Sequence, residues 1–293
     1  MIALLLVPAL LLLVVVFVGP LFRYAWLSFH ADSVITGLIA IPNGGANWLR
    51  LVQDQRYWQD LFQTLRFAGV SVGLELVLAL LIALLLDQRW RGRDVVRTLA
   101  LIPWALPTTV MALGWRWIFN TPYGPVDHLT KIIGLGSLNI LGDPSLTWMA
   151  TVWADVWKTT PFAALILLAG LQTIPGDLYE ALRLEGGNAL ICLRRITLPL
   201  LRPYILLALL FRLAQAFGVF DLIQVLTGGG PASSTESIAL YAYWNALRFL
   251  DFGYSATIIM ASFFLISLIC VIAWIALQLI IPTHSKSRGA VSS

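Results

Sequence analysis

The sequence predicts an all-α integral membrane protein with six transmembrane helices. Of its 293 residues, 59% are hydrophobic and 12% are charged, and the mean hydropathy is +0.84. Soluble domains carry about 25% charged residues, so an ordinary water-soluble domain is excluded. Disorder is excluded too, because disordered chains combine low hydrophobicity with high charge. The chain also holds six apolar stretches, each near the roughly 20 residues that a helix needs to cross a bilayer.

These stretches form a single transmembrane domain over residues 1–293. The predicted spans are residues 1–29, 65–86, 98–119, 146–171, 204–226 and 254–281. We expect the first to be a retained span, because its apolar run is too long for a signal peptide. Pro103, Pro107 and Pro161 lie within spans, where neighbouring helices can satisfy the carbonyls that a proline frees.

The basic residues predict the orientation, because Lys and Arg mark the cytoplasmic loops of membrane proteins. Arginines are concentrated in the link 87–97 and in the link after the fourth span, and Lys286 and Arg288 lie in the C-terminal tail. These segments alternate so that they share one side, which predicts that both termini are cytoplasmic. The net charge of +4 is then an orientation signal, and we expect no nucleic-acid partner.

Motifs of catalysis and nucleotide binding are missing from the sequence. There is no G-x-x-x-x-G-K-[ST] and no G-x-G-x-x-G, and the only run of three glycines, 228–230, is followed by Pro231. Cys192 and Cys270 are far apart and the histidines are isolated, so no disulfide framework or metal-ligand pattern exists. We therefore expect no catalytic residue, no metal and no ATP site in this chain.

Ionisable side chains inside spans are costly, and they usually face a cavity or a partner. The candidates are Glu75, Arg116, Asp155, Lys158, Arg212 and Asp221. Asp155 and Lys158 are three residues apart, so we expect them to meet on one helix face, where they either neutralise each other or line a path. On a straight helix Arg212 and Asp221, nine residues apart, would point to opposite sides.

A polar span rich in tryptophan suits sugars, which present apolar faces to aromatic rings, although tryptophans also serve packing and interfacial anchoring. The candidates for lining a substrate path are Asp155, Trp157, Lys158, Gln215, Asp221 and Gln224.

The link between the fourth and fifth spans, residues 174–203, predicts two short surface helices. Asp177 is placed to cap the first helix, with Glu180 as its capping-box partner. Gly186 breaks that helix, and Pro199 and Pro203 mark the entry to the fifth span. On spacing alone the segment is either a simple connection or a docking surface.

This link resembles the cytoplasmic loop of binding-protein-dependent ABC importer permeases, commonly written E-A-A-x-x-x-G-x9-I-x-L-P. The matching positions here are Glu180, Ala181, Gly186, Ile196, Leu198 and Pro199. The departures are Leu182, Glu185, Gly187 and Leu193. The resemblance implies that the loop is a coupling helix docked on a separate ATPase, with Arg183 on its charged face.

A second motif narrows the resemblance to carbohydrate-importer permeases of the maltose and glycerol-3-phosphate type. The residues that carry it are Thr227, Gly228, Gly229, Gly230, Pro231, Thr235, Leu240, Tyr241, Tyr243, Gly253 and Tyr254. The glycines permit a tight extracytoplasmic turn with positive φ.

Together the motifs imply a type I ABC importer permease fold in the cytoplasmic (inner) membrane of a prokaryote. The implied cargo is a di- or oligosaccharide such as trehalose or maltose, moved by alternating access. The implied partners are a second homologous permease, two ATPase subunits that bind ATP and Mg, an extracytoplasmic sugar-binding protein and the lipid bilayer. A permease for another solute, such as glycerol-3-phosphate or a polyamine, a secondary transporter and a scaffold protein are the alternatives.

Overall fold

The computed structural model describes residues 2–88 and 90–280, and helices account for most of them. The α-helices are α1 Ile2–Leu13, α2 Gly19–Leu27, α3 Ala46–Gln53, α4 Gln55–Asp87, α5 Arg93–Ala100, α6 Ile102–Ala105, α7 Thr108–Ile118, α8 Pro125–Ile132, α9 Pro144–Leu171, α10 Gly176–Leu184, α11 Ala189–Cys192, α12 Leu198–Phe217, α13 Asp221–Leu226, α14 Ile238–Tyr243 and α15 Phe252–Ile280. Short π-helical segments at Val14–Val18, Leu193–Thr197 and Trp244–Arg248 continue their neighbours, and β1 His30–Ala31 pairs antiparallel with β2 Ile41–Pro42.

Five helical stretches in the described residues are long and apolar enough to cross a membrane, and a sixth is bent. The unbent ones are Leu10–Leu27, Gln55–Asp87, Pro144–Leu171, Ala189–Phe217 and Phe252–Leu279. The predicted six-span architecture is confirmed on this count. Ile281, Lys286 and Arg288, as well as Met1 and Arg89, lie outside the described residues.

The second span is longer than predicted. Its helix begins at Gln55 and not at 65, because the Asp54 carboxylate accepts hydrogen bonds from the backbone N–H groups of Arg56 and Tyr57 and so caps the helix well before its apolar core. The polar first turns of α4 thus extend toward the predicted extracytoplasmic side.

The third span is broken. Residues 93–105 and 108–118 meet at 90°, so the predicted span over 98–119, whose prolines fit a kinked helix, consists of two helical segments with a sharp bend between them. Pro107 has no N–H and forces Leu106 into an extended conformation, with ψ of 136°. The Lys158 ammonium donates a hydrogen bond of 2.5 Å to the Leu106 carbonyl, which satisfies an acceptor that the break exposes.

The fifth span differs from the prediction at both ends. The Asn188 side chain caps α11, and the helix continues through the π segment into α12 as far as Phe217. Pro199 and Pro203 therefore do not mark the entry to the span, since the helix already runs through both. A break at residues 218–220 then separates α13, so Arg212 and Asp221 do not lie on one straight helix as expected.

The core forms where α4, α9 and α12 pack together. Ala83 on α4, Leu167 on α9 and Leu201 on α12 are fully buried in one cluster. Gly170 sits at the closest approach, because a Cβ there would lie 2.5 Å from the ring of Tyr204. Small residues at helix crossings allow this kind of backbone proximity in membranes. These three helices therefore form the rigid frame for the polar groups described next.

Candidate functional site

A buried charge cluster ties the three core helices together. Arg212 on α12 donates from Nε to Glu75 Oε2 at 2.5 Å and from Nη2 to Glu75 Oε1 at 2.9 Å. Its Nη2 also reaches Asp155 Oδ2 at 3.1 Å. The Arg212 and Glu75 side chains are 3% and 0% exposed. We call Glu75, Asp155, Arg212 and the adjoining Gln215 the intramembrane cluster.

The expected pairing of Asp155 with Lys158 is wrong. Asp155 turns to Arg212, and Lys158 turns to the Leu106 carbonyl at the bend of the third span. The two side chains leave the same helix in different directions because each finds a partner on another helix. Every charged member of the cluster could be identified from the sequence, but the sequence did not indicate which spans pack against one another.

The other path candidates are divided among several surfaces. Gln215 joins the cluster, because its Oε1 accepts a hydrogen bond of 2.6 Å from Arg212 Nη1. Trp157 is 38% exposed and packs edge-on against Trp115, with ring centroids 5.5 Å apart. Asp221 is exposed and Gln224 is half-buried, and both lie on α13 beyond the helix break.

The predicted coupling loop consists of α10, a glycine turn and the start of the α11–α12 helix. Gly186 has φ of +83°, a conformation that favours glycine. Gly187 is also constrained, because a Cβ there would lie 2.7 Å from the Leu182 carbonyl oxygen. The neighbouring Gly187 thus fits the tight turn in place of the alanine common in the resembled family.

The start of α10 departs from the prediction. The helix begins at Gly176 with Pro175 as its N-cap and no side-chain cap bond, so Asp177 is not the cap. Asp177 lies in the first turn, where a negative charge favours the helix dipole. The Tyr179 hydroxyl lies 3.1 Å from Thr197 Oγ1 and links α10 to the following helix.

The motif side chains of this loop point mainly to solvent. Glu180, Ala181 and Arg183 are mostly accessible, whereas Ile196 and Pro199 are half-buried. Leu184 is 91% exposed, and Leu178 and Leu190 are exposed as well. Large apolar side chains beside charged ones on a surface are typical of a contact region for another protein.

The T-G-G-G-P segment forms a tight turn fixed by two threonines. Gly228 and Gly229 have φ of 61° and 85°. Thr227 Oγ1 lies 2.8 Å from Thr235 Oγ1, and the Thr235 hydroxyl donates to the Gly230 carbonyl at 3.0 Å. The predicted positive-φ turn is present, and the threonines before and after the glycines close it.

The end of this turn is anchored to α4 by an ion pair. Glu236, whose side chain is 0% exposed, accepts two-pronged hydrogen bonds from Arg56 with distances of 2.8–3.1 Å. Asp60, also buried, faces the same glutamate. None of these three residues was among the site residues predicted from the sequence, although Arg56 is one of the few basic residues on the predicted extracytoplasmic side.

Asp54, Tyr241 and Tyr254 form a tyrosine cluster whose aspartate was not predicted from the sequence. Asp54 Oδ2 accepts a hydrogen bond of 2.6 Å from the Tyr241 hydroxyl and another from the Tyr254 hydroxyl. Burial raises the pKa of Asp54, but the hydrogen bonds from both tyrosines and from the backbone outweigh it and hold the pKa below its usual value. Burial, together with Asp54, raises the pKa of Tyr241 to about 12.

Tyr243 does not join this cluster. It packs on Phe220 with ring centroids 4.8 Å apart, beside the break that precedes α13. The two tyrosines of the Y-x-Y motif therefore serve different contacts, and the partner of Tyr241 is an aspartate that lies outside both motifs.

Comparisons with known proteins agree with this architecture. Residues 75–281 match the family described as binding-protein-dependent transport system inner membrane component. The trehalose/maltose transport system permease protein MalF of Thermococcus litoralis is 42% identical over 264 residues, which cover 90% of this chain and 88% of that protein. The trehalose transport system permease protein SugA of Mycobacterium tuberculosis is 35% identical, covering 93% of this chain and 86% of its own.

Another relative is named for a different cargo. The sulfoquinovosyl glycerol transport system permease protein SmoG of Agrobacterium fabrum is 36% identical over 89% of this chain and 84% of its own length. Among solved structures, a chain of a bacterial ABC transporter involved in the import of the acidic polysaccharide alginate superposes with a TM-score of 0.82 at 21% identity, covering 96% of both chains.

The structural likeness confirms the predicted fold, that of a type I ABC importer permease. The family match spans most of the chain and includes the intramembrane cluster, the coupling loop and the T-G-G-G-P turn. This protein belongs to the family of binding-protein-dependent transport system inner membrane components, which are multi-pass proteins of the inner membrane.

Proposed function

We propose that this chain is the permease subunit of an ATP-driven ABC importer that moves a di- or oligosaccharide, such as trehalose or maltose, across the cytoplasmic membrane. The observation that carries the proposal is the 42% identity to a trehalose/maltose permease over 90% of the chain. The T-G-G-G-P turn, with its paired threonines, supports the same class of cargo.

The chain provides the substrate path and transmits the conformational change, and the ATPase partners hydrolyse ATP. Two ATPase subunits bind ATP and Mg, a second permease completes the transmembrane pore, and an extracytoplasmic binding protein delivers the sugar. The exposed Glu180 and Leu184 beside the Gly186 turn offer the ATPases a mixed charged and apolar surface.

Coupling runs from the loop 177–199 into the core. The helix that starts at Ala189 continues to Phe217, so a displacement at the loop moves the same helix that carries Arg212. Arg212 in turn holds Glu75 on α4 and Asp155 on α9. A rigid connection of this kind lets ATP binding move several spans together and open the cavity alternately to each side.

The sugar path is lined in part by Trp157, Gln215, Asp221 and Gln224. Trp157 offers an exposed aromatic face, and the other three offer hydrogen-bonding groups. Stacking of an apolar sugar face on an aromatic ring and hydrogen bonding of its hydroxyls are the two contacts that a saccharide needs.

The experiment is uptake by proteoliposomes that contain this chain with its companion permease and ATPases. Radiolabelled trehalose and maltose are offered with the binding protein outside and ATP inside. We expect uptake that stops when the ATPases are inactivated and that falls in Glu180→Ala but not in Asp94→Ala, an exposed acidic control outside the coupling loop. Uptake without ATP hydrolysis would indicate a secondary transporter, and uptake of glycerol-3-phosphate or a polyamine but of no sugar would indicate another cargo class.

A further inference from the structure

Gln215 stands between the buried charges and the exposed surface of the fifth span. Its residue is exposed, whereas Arg212, one helical turn away, is almost completely buried. Within the described residues its side chain takes part in one hydrogen bond, which Arg212 Nη1 donates to Gln215 Oε1 at 2.6 Å. The carbonyl oxygen of the Gln215 amide is therefore hydrogen-bonded, whereas its NH2 group has no partner among the described residues.

The hydrogen-bonding groups of arginine determine which end of the Gln215 amide Arg212 can bind. A guanidinium carries five N–H donors and no acceptor, so it can hold the amide only through the carbonyl oxygen. The Gln215 NH2 group must then turn away from Arg212. A glutamine without this contact could present either its carbonyl oxygen or its NH2 group, whereas Gln215 presents the NH2 donor.

Arg212 is itself fixed in place. Each of its three nitrogens donates to a side-chain oxygen, on Glu75, Asp155 or Gln215. A two-pronged guanidinium–carboxylate contact defines orientation as well as position. The plane of the guanidinium, and with it the position of Gln215, is therefore set by α4 and α9.

The same contacts leave Arg212 without a positive charge that a cargo molecule could bind. Two carboxylates face one guanidinium, so the cluster carries no excess positive charge, and the 3% exposure of Arg212 keeps its nitrogens out of reach. An anionic ligand at Gln215 would find no exposed cation in the intramembrane cluster, and the buried carboxylates behind Arg212 would repel it in a medium of low dielectric. A neutral ligand with oxygen acceptors meets only the amide donor.

We propose that Arg212, held by Glu75 and Asp155, is a positioning residue that fixes the Gln215 amide so that its NH2 group donates a hydrogen bond to an oxygen of an uncharged saccharide in transit. This inference rests on the proposed function, because it names the ligand class and the contact of that same path. It assigns to Gln215 the donor role and to Arg212 no direct contact with the cargo.

Gln215→Glu tests the donor role. The glutamate has the same shape and its carboxylate still accepts from Arg212, so the contact with Arg212 is kept while a third carboxylate is added to the cluster. The variant lacks the NH2 donor, so we expect the half-saturating concentration for trehalose or maltose to rise about 10-fold, the scale of one lost hydrogen bond. The matched control is Gln59→Glu, an exposed glutamine on α4 outside the cluster.

The assay measures uptake and direct binding separately. Uptake uses the proteoliposomes with the binding protein, and equilibrium dialysis uses the purified permease–ATPase complex alone with radiolabelled trehalose, maltose or glucuronic acid. The dialysis arm reads the selectivity of the permease without that of the binding protein. We expect trehalose or maltose to bind, glucuronic acid to bind at least about 10-fold more weakly, on the scale of one unfavourable polar contact, and Gln215→Glu to weaken binding of the neutral sugar.

Arg212→Lys separates positioning from charge. The lysine keeps the positive charge, but its ammonium lies on a flexible stem and lacks the planar fork, so it does not fix Glu75 and Gln215 in the geometry that Arg212 imposes. We expect the same rise in half-saturating concentration as in Gln215→Glu, with the maximal rate falling less than the affinity.

The outcomes are distinct. Wild-type uptake of sugar together with unchanged affinity in Gln215→Glu overturns the donor role, and equal binding of glucuronic acid overturns the selectivity for uncharged cargo. Failure of the wild-type complex to bind or import any saccharide overturns the proposed function itself.

Discussion

Gly170 on α9 lies directly against the ring of Tyr204 on α12. A methyl group at this position would be 2.5 Å from the ring and 2.7 Å from a Leu201 methyl carbon, closer than any real contact. The two helices thus approach through a glycine in the same layer of the core that contains Leu167 and Leu201.

Gly170→Ala is therefore expected to destabilise the protein. Forcing a side chain into a filled core costs about 1–3 kcal/mol. The measurement is the apparent Tm of the purified complex in detergent, followed by size-exclusion chromatography after heating. The control is Gly73→Ala on α4, where a Cβ would meet nothing within 4 Å and helix propensity alone predicts a neutral or slightly stabilising effect. Equal Tm values for the two variants would contradict this packing.

Asp54→Asn is expected to weaken the tyrosine cluster. Asparagine caps a helix about as well as aspartate, so the change mainly removes the charged acceptor of Tyr241 and Tyr254. Each hydrogen bond lost is worth about 1 kcal/mol. The Tm of the variant should fall below that of wild type near neutral pH.

The pKa shifts predict how the Tm difference between wild type and Asp54→Asn changes with pH. The pKa of Asp54 is lowered by folding, so its contribution is present above its usual value of 3.8 and is lost as the pH falls below it. The Tm difference between wild type and Asp54→Asn should therefore shrink in acid. The raised pKa of Tyr241 acts in the other direction, and its contribution is lost as the pH rises from 10.0 to about 12. A Tm difference independent of pH would rule out the charge of Asp54 as its cause.

Substitutions at Gly186 should separate backbone geometry from side-chain size. The site is open, because a Cβ there would meet no atom within 4 Å, yet φ is +83°. Gly186→Val should be strained by about 1–2 kcal/mol, whereas Gly186→Asn tolerates the left-handed region. We expect ATP-driven uptake to fall strongly in the valine variant and much less in the asparagine variant, with sugar affinity of the binding protein unchanged in both. Similar losses in both variants would point to the docking surface and not to the turn.

Lys158→Met should destabilise the bend of the third span. The ammonium donates to the Leu106 carbonyl, and removing it leaves that acceptor without its donor at a cost of about 1–3 kcal/mol. Lys158→Arg keeps a donor and should lose less. The Tm of both variants, compared with wild type, is the measurement, and an unaffected Tm in Lys158→Met would show that the carbonyl has another partner.

The sequence was most informative where local rules decide the structure. Apolar length set the spans, and the positive φ of Gly186, Gly228 and Gly229 followed from glycine in turn motifs. Pro107 signalled a distortion, but the 90° bend depends on the helices around it.

Pairings between distant segments could not be predicted in the same way. Asp54 precedes Tyr241 by 187 positions, and Glu75 precedes Arg212 by 137, so no periodicity connects them. Asp155 had two possible partners, one on its own helix and one on α12, and the packing of α9 against α12 selected the second. The charged residues of the intramembrane cluster could thus be named from the sequence, whereas their partners, and Asp54 itself, required the fold.

The π-helical segment Leu193–Thr197 lies between the coupling loop and the fifth span. A π turn accommodates one extra residue in a continuous helix, and one residue corresponds to about 100° of rotation. Because the wider π turn takes up that extra residue, deleting a single residue there would restore an α-helical path and keep Gly186 and Arg212 in nearly the same rotational phase, whereas deleting one residue from α12 before Arg212 would rotate the loop by about 100° relative to Arg212. The π turn therefore preserves the rotational phase between the Gly186 turn of the predicted coupling loop and Arg212 of the intramembrane cluster.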